Sequence, residues 1–445
     1  VNTLQTVLVV GTAQTLAWAS SYYLPAVLAA PIAADLGTDA SQVHFCFSVA
    51  LLVAALFGPR AGRLIDRHGG RTVLPFTNAL FALGLVLLAA AQGGISLLGA
   101  WLVIGVAMGF GLYDAAFAAL VRLYGAGARQ AITGITLIAG FASTVGWPLS
   151  MAMQTAFGWR GALLGWALLH LSLGVLLNRR IPHPPLRDAP CDPAAPLIQP
   201  PTPPPRTAKA AHAANSAKTS EPAKTADSVD TADSVDTADS AKTGTAYNPS
   251  HGTALLVFAF AATGFAGTAM AAHLPTVLQA SGASLALAVA AGALIGPAQV
   301  GARLLQFGPF GRVHPLWSAW LADLAHPLAV LALMLVGPGA AMVFALVHGL
   351  GTGTQTIARG TLPLALFGAA GYGERVGRLL ALSRFTQALA PWLFGLALAR
   401  WGEHALWITF ALSLLALAAL LPFRSALRSG KSETQVRKAD PRSGL

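Results

Sequence analysis

The sequence predicts an all-α membrane protein of twelve transmembrane helices, arranged as two parallel, pseudo-symmetric six-helix bundles. Three observations carry that fold class. Apolar runs about one bilayer long recur along the chain, the basic residues gather on one side of the resulting topology, and the two halves repeat each other. Of 445 residues, 55% are hydrophobic and 10% charged, with a mean hydropathy of +0.62. A soluble domain carries about 25% charged residues, so an ordinary water-soluble enzyme is excluded. Two cysteines, Cys46 and Cys191, cannot build a disulfide framework or a cysteine metal site.

A hydrocarbon core about 30 Å thick takes roughly 20 apolar residues of helix. Runs of that kind predict helices over 5–34, 42–61, 73–92, 95–121, 131–156 and 161–178. After a break they predict 253–280, 284–305, 316–336, 339–366, 380–399 and 404–423. The first run has no basic residue before it and no charge before Asp35. It is too long for a signal peptide and lacks the basic leader, so it reads as a span. With the N-terminus inside, 25 of the 28 basic residues fall on the inner side. Only Arg160 and Arg400 lie outside, and Arg359 lies within a helix. Such asymmetry fixes orientation and places both termini in the cytoplasm, in a multi-pass protein of the cytoplasmic (inner) membrane. The net charge of +11 is then a matter of topology, and no nucleic-acid partner is expected.

Residues 181–250 break the pattern. Pro182–Pro205 holds 11 prolines in 24 residues, and TADSVD occurs at 225–230 and 231–236. Lacking aromatic residues and a core, the tract reads as a disordered linker. The domain expectation is therefore a first bundle over 1–180, a linker over 181–250, a second bundle over 251–423 and a basic tail over 424–445.

The halves echo each other. Tyr23-Leu24-Pro25-Ala26-Val27-Leu28 matches His273-Leu274-Pro275-Thr276-Val277-Leu278, and Gly58-Pro59 followed by Gly62-Arg63-Leu64 matches Gly296-Pro297 followed by Gly301-Ala302-Arg303-Leu304. Six spans is an even number, so the second unit enters in the same orientation as the first. In parallel repeats of this kind the binding site lies between the halves.

Between the second and third helices stands Gly62-Arg63-Leu64-Ile65-Asp66-Arg67-His68-Gly69-Gly70-Arg71. It resembles the loop signature G-x-x-x-D-R-x-G-R-R of the major facilitator superfamily, and the resemblance extends over both halves. It implies twelve helices and alternating access, with Gly62, Asp66, Arg67, Gly69 and Arg71 forming a gating loop. Asp66 sits at the partially negative end of its helix and needs a cation or a helix N-terminus opposite it; the glycines would allow close approach. The second half lacks the motif, having Gln306 near the acidic position, so an asymmetric latch is expected. The R-x-x-x-G pattern of proton-coupled relatives is missing as well, since Trp101 precedes Gly105.

Charges inside a bilayer cost about 2.5–3.5 kcal/mol on insertion scales and usually face a cavity or a partner. The resemblance implies that helices one, four, seven and ten line the cavity. Asp114 and Arg359 fall at similar depth in the fourth and tenth, and are expected to face each other, binding solute or proton and pairing when the site is empty. His273 and Tyr23 occupy repeat-equivalent positions beside prolines, and histidine titrates near neutral pH. Gln355 completes the coupling candidates, with His348, Gln14, Ser20 and Gln299 as further polar positions. Asp323 and His326 read as a local pair on a peripheral helix.

No H-E-x-x-H pair, paired-aspartate centre or G-x-x-x-x-G-K-[ST] loop is present, so neither an intramembrane enzyme nor an ATP-driven pump is expected. The expectation is a secondary transporter of a small solute, coupled to protons, working more as exporter than importer, monomeric in the lipid bilayer and without cofactor. The alternatives are a non-transporting sensor on the same scaffold, or an uptake permease for a small organic anion.

Overall fold

The computed structural model describes residues 3–125, 128–182, 249–307, 313–367 and 372–425, all helical or in short connections. The TADSVD tract and nearly all of the 181–250 and 424–445 segments lie outside the described residues. The first half contains α1 (Thr3–Ala19), α2 (Pro25–Asp35), α3 (Ala40–His68), α4 (Gly70–Ala89), α5 (Gly94–Gly111), α6 (Tyr113–Tyr124), α7 (Ala128–Ala139), α8 (Ala142–Leu169) and α9 (Val175–Arg179). The second contains α10 (Pro249–Ala280), α11 (Leu285–Phe307), α12 (Pro315–Val336), α13 (Ala341–Phe367), α14 (Tyr372–Trp401) and α15 (Leu406–Leu420). Among the described residues, eight helical stretches are long and apolar enough to cross a membrane, and α2 is a shorter apolar helix.

Three runs expected as single helices are broken, all in the first half. The 5–34 run divides at Ser20–Leu24. Pro25 opens α2 and has no N–H to give back to α1, while Ser20 and Ser21 donate to the carbonyls of Leu16 and Ala17 at 2.8 and 2.6 Å. The 95–121 run breaks at Leu112, which is extended (φ −84°, ψ −167°). There Gln14 Nε2 donates to the freed Gly111 carbonyl at 2.7 Å. The 131–156 run breaks at Gly140–Phe141, between α7 and α8. By contrast, α10 runs straight through Pro275 and α13 through Arg359. Gly158 (φ +69°) supplies the turn expected before Trp159-Arg160, and Arg160 pairs there with Asp35.

Packing repeats between the halves even though the breaks do not. A Cβ on Gly105 would lie 2.6 Å from the Ala50 carbonyl oxygen, and one on Gly109 would lie 2.9 Å from that of Ala54, so α5 lies backbone to backbone on α3. At the matching positions, a Cβ on Gly349 would lie 3.0 Å from Ile295 O and one on Gly353 2.5 Å from Gln299 O. These glycines set helix-to-helix distance within each half. Trp101, where a coupling arginine is absent, is fully buried against Phe47, with ring centroids 5.2 Å apart.

The halves meet where α3 packs on α14, α8 on α11 and α2 on α10. Toward the Asp39 end of α3, the contact is made by the His44 and His273 rings (3.9 Å between centroids), by Phe45 against Trp392 (5.2 Å) and by Ser48 Oγ accepting from Trp392 N–H (3.1 Å). On the other flank, Thr144 Oγ1 donates to the Ala293 carbonyl at 2.7 Å.

Candidate functional site

The breaks in the first half shape the site. The non-helical turn after α1 puts Tyr22 and Tyr23 beside Trp18, and the break before α6 presents Tyr113 and Asp114. Facing them, α10 contributes Thr263 and Thr268, α11 Gln299 and Arg303, α13 Gln355 and Arg359, and α14 Arg384 and Gln387. These residues wall two adjoining cavities of about 300 and 590 Å³, which share Trp18, Tyr22, Tyr113 and Arg359. Tyr22 Oη donates to Thr268 Oγ1 at 2.9 Å and Trp147 Nε1 to the Tyr23 carbonyl at 3.0 Å. Both bonds close the chamber toward the Asp39 end. Beyond them a separate cavity of about 590 Å³ is lined by Asp39, His44, Gln154, His273 and Gln279. A further groove among α11, α12 and α13 is almost wholly apolar, with Trp317, Leu321 and Leu328 on its wall, and suits lipid rather than a polar solute.

Asp114 and Arg359 share the chamber but do not pair. Asp114 is engaged instead by Arg384, with both guanidinium nitrogens at 3.1 Å from the two carboxylate oxygens. Standing at the first turn of α6, Asp114 also meets the positive end of that helix. The bridge joins the two halves, with both side chains about half exposed (53% and 44%). Arg359 Nη2 donates to the Phe260 carbonyl at 3.2 Å, which also accepts from Ser383.

Arg303 and Arg384 were counted from sequence as cytoplasmic topology signals. The fold places both on the chamber wall. Arg303 is 7% exposed and spans the halves by donating to the Thr136 carbonyl. Among the described residues neither Arg303 nor Arg359 has a carboxylate at ion-pair distance, and each leaves a buried Nε without a partner. A hydrogen bond from a charged group returns about 1.5–3 kcal/mol, no more than the roughly 2.5–3.5 kcal/mol cost of the charge. One carbonyl contact each thus leaves both arginines with little surplus and with a donor to spare.

Asp323 and His326 lie on the inner face of α12, which packs on α13 and α15, but they are not paired with each other. Asp323 is 1% exposed, and among the described residues neither carboxylate oxygen meets hydrogen-bond geometry, Gln355 being the amide that interacts with it. It faces a small pocket shared with Thr263, His348, Gln355 and Ser413, behind the chamber wall. Gln355 stands between the pocket and the chamber, its Nε2 donating to Thr263 Oγ1 at 2.8 Å. His326 also lines that pocket, and its ring nitrogens are engaged by α13 and α15. Thr409 Oγ1 gives its proton to the Leu406 carbonyl and so accepts from His326 Nε2; His326 Nδ1 then accepts from His348 Nδ1, each contact 2.9 Å. That network assigns the tautomers and leaves His348 Nε2 as its lone-pair nitrogen.

The remaining candidates are placed as follows. His273 Nε2 bonds the Pro391 carbonyl at 2.7 Å and stacks on His44, a residue that the sequence did not single out. Tyr23 and Gln299 line the chamber, whereas Gln14 and Ser20 are used within the helix breaks. The expected gating loop is helical, because α3 runs on to His68 and α4 starts at Gly70; Asp66 and Arg67 are exposed in the last turns of α3, and among the described residues Asp66 makes no ion pair. Gly69 closes α3 at φ +84° and Arg71 Nη1 donates to the Ile181 carbonyl at 3.1 Å. Gly62 is not closely approached: a Cβ there would meet nothing within 4 Å. No group of three or more metal-ligating side chains occurs among the described residues.

A helical membrane protein with a polar chamber between its two halves has the build of a solute transporter rather than an enzyme. The family model described as Major Facilitator Superfamily matches residues 10–325, and the chain belongs to that superfamily. Among solved structures, it is similar to a D-xylose–proton symporter (12% identity, TM-score 0.67, covering 94% of this chain and 97% of that one). It is also similar to the nucleoside transporter NupG (15%, 0.62, 96% and 99%). A third is a bacterial homologue of the human lysosomal transporter Spinster, inward-facing and occupied (13%, 0.62, 95% and 96%). At these identities the likeness is one of fold. No curated protein matches the sequence.

Proposed function

We propose that the chain is a proton-coupled secondary transporter of the cytoplasmic membrane that moves a small solute by alternating access. The observation that carries this reading is the chamber walled by both halves, closed by Tyr22, Tyr23 and Trp147 on one side and crossed by the Asp114–Arg384 bridge on the other. Helix lengths support a reading of twelve spans. Three of the eight candidate stretches run 50, 45 and 42 residues, or roughly 63–75 Å at 1.5 Å per residue, about twice the hydrocarbon core. A glycine at positive φ divides each one: Gly158, Gly337 and Gly402. Each then crosses twice, and α1 with α2 supplies the twelfth. An even count puts both termini on one side, and the basic residues make it the cytoplasm, leaving residues 181–250 as a cytoplasmic linker between two bundles.

In this reading His44 with His273 closes the outer side, the Asp114–Arg384 bridge is the inner gate, and the Gly62–Arg71 segment at the α3–α4 junction latches the other state. Arg359, Gln355 and Tyr23 form the solute wall. Asp323, a buried carboxyl behind the chamber wall, carries the proton. Purified protein in vesicles loaded with a pH-sensitive dye tests the proposal. Adding a transported solute moves protons in the protein-containing vesicles and not in empty ones. A broad panel of small solutes that never evokes a protein-dependent proton movement contradicts it.

A further inference from the structure

We infer that the solute is a small organic anion with a flat or aromatic body, held by Arg303 and Arg359 and carried together with a proton. The inference rests on the transporter reading and names its substrate. Arg303 from α11 and Arg359 from α13 reach one chamber with unused N–H donors and no carboxylate partner among the described residues. The remaining chamber carboxylate, Asp114, is taken by Arg384. The wall is thus positive and lacks its counter-ion. A guanidinium presents forked donors that match a carboxylate, and two of them fix an anion at two points. Around them Trp18, Tyr22, Tyr23, Tyr113 and Trp147 supply ring surface. Aromatic walls also attract cations, but two unneutralised arginines in the same space repel one, which decides the sign of the charge.

The sense of coupling comes from what faces Asp323. His326 shares its helix; α13 brings His348, Gln355 and Arg359; α10 and α15 bring the hydroxyls of Thr263 and Ser413. Arg359 is the cation within electrostatic reach of that carboxylate. When Asp323 is ionised it offsets part of the Arg359 field. When it is protonated, that field is free for the anion. Proton and anion therefore favour each other's binding and travel as a pair, so an inward proton gradient drives uptake. The organic-anion permease is favoured over the exporter expected from sequence.

The test is ligand binding to the purified full-length protein in nanodiscs, read by quenching of tryptophan fluorescence. Benzoate, succinate and inorganic phosphate are compared with neutral benzamide and cationic benzylamine. The expected result is saturable binding of at least one of the anions, weakened at least about tenfold by Arg303→Gln and by Arg359→Gln, with Arg303→Lys recovering part of it. Affinity rises as pH falls, and Asp323→Asn holds it at the acidic value throughout. The inference is overturned if no anion binds, if benzamide or benzylamine binds as tightly, if both arginine variants bind normally, or if pH dependence survives Asp323→Asn. Each variant is checked for monodisperse elution and an unchanged melting temperature. Arginine-dependent binding without flux would sink the transporter reading and leave the anion site standing. Arginine-independent flux of a neutral solute would do the reverse.

Discussion

Replacing Asp323 with asparagine is expected to abolish proton-driven accumulation while leaving exchange of solute across the membrane intact. The side chain is 1% exposed and adjoins the chamber through Gln355. Asparagine keeps the shape and cannot take or release the proton. A gradient of one pH unit stores about 1.4 kcal/mol per proton, enough for roughly tenfold accumulation at one proton per solute. The variant should bring that ratio to about one, measured in vesicles with an imposed gradient, while counterflow at equal pH proceeds near the normal rate. A merely structural carboxylate would lower both activities together or leave both unchanged. Retained accumulation would remove Asp323 from the coupling scheme.

The second large effect is expected at Gly353. A side chain there would enter the backbone of α11, with Gln299 O at 2.5 Å and Gln299 Cα at 2.7 Å from the new Cβ. Overpacking in a well-filled core costs about 1–3 kcal/mol. Because the obstacle is backbone rather than a flexible side chain, Gly353→Val should fall at or beyond the upper end. It also shifts the α13 segment that carries Gln355 and Arg359. The expected readouts are a lower melting temperature in detergent and at least about a tenfold loss of flux. Gly301→Val on α11 is the control, since a Cβ at that position meets nothing within 4 Å. Equal behaviour of the two variants would contradict the packing described for α11 and α13.

The fold class was legible because membrane insertion leaves a coarse record: long uncharged runs and a one-sided distribution of basic residues. The repeat was legible for a finer reason, since Gly105 and Gly109 do in the first half what Gly349 and Gly353 do in the second. Helix breaks were not. Pro25 and Pro275 look alike in sequence, yet only the first stands at a helix break, where it opens α2 while the Ser20 and Ser21 hydroxyls bond the Leu16 and Ala17 carbonyls at the end of α1.

The site was half legible. Asp114 and Arg359 stand out as charges within apolar runs and do line one chamber. Arg303 and Arg384 carry the same signal at helix ends, where counting toward orientation absorbed them. Asp323 and His326, three residues apart, suggested a local pair. Their true partners come from α13 and α15, a tertiary fact that spacing along one helix does not contain. A signal for Arg303 did exist: it echoes Arg63 in the repeat, but it is buried where Arg63 is exposed.

The central claim is that the halves rock about the chamber, so that the His44–His273 contact and the Asp114–Arg384 bridge, both formed in this structure, open in alternation. Spin labels at Ser41→Cys on α3 and Ala399→Cys on α14, in a background with Cys46 and Cys191 replaced by serine, report that motion in nanodiscs. Both positions line the cavity beyond His44 and His273. The account predicts two separate distances, a short one as described here and a longer one, whose populations exchange as pH is lowered. A single short distance at every pH, with and without the anions that bind, would contradict it.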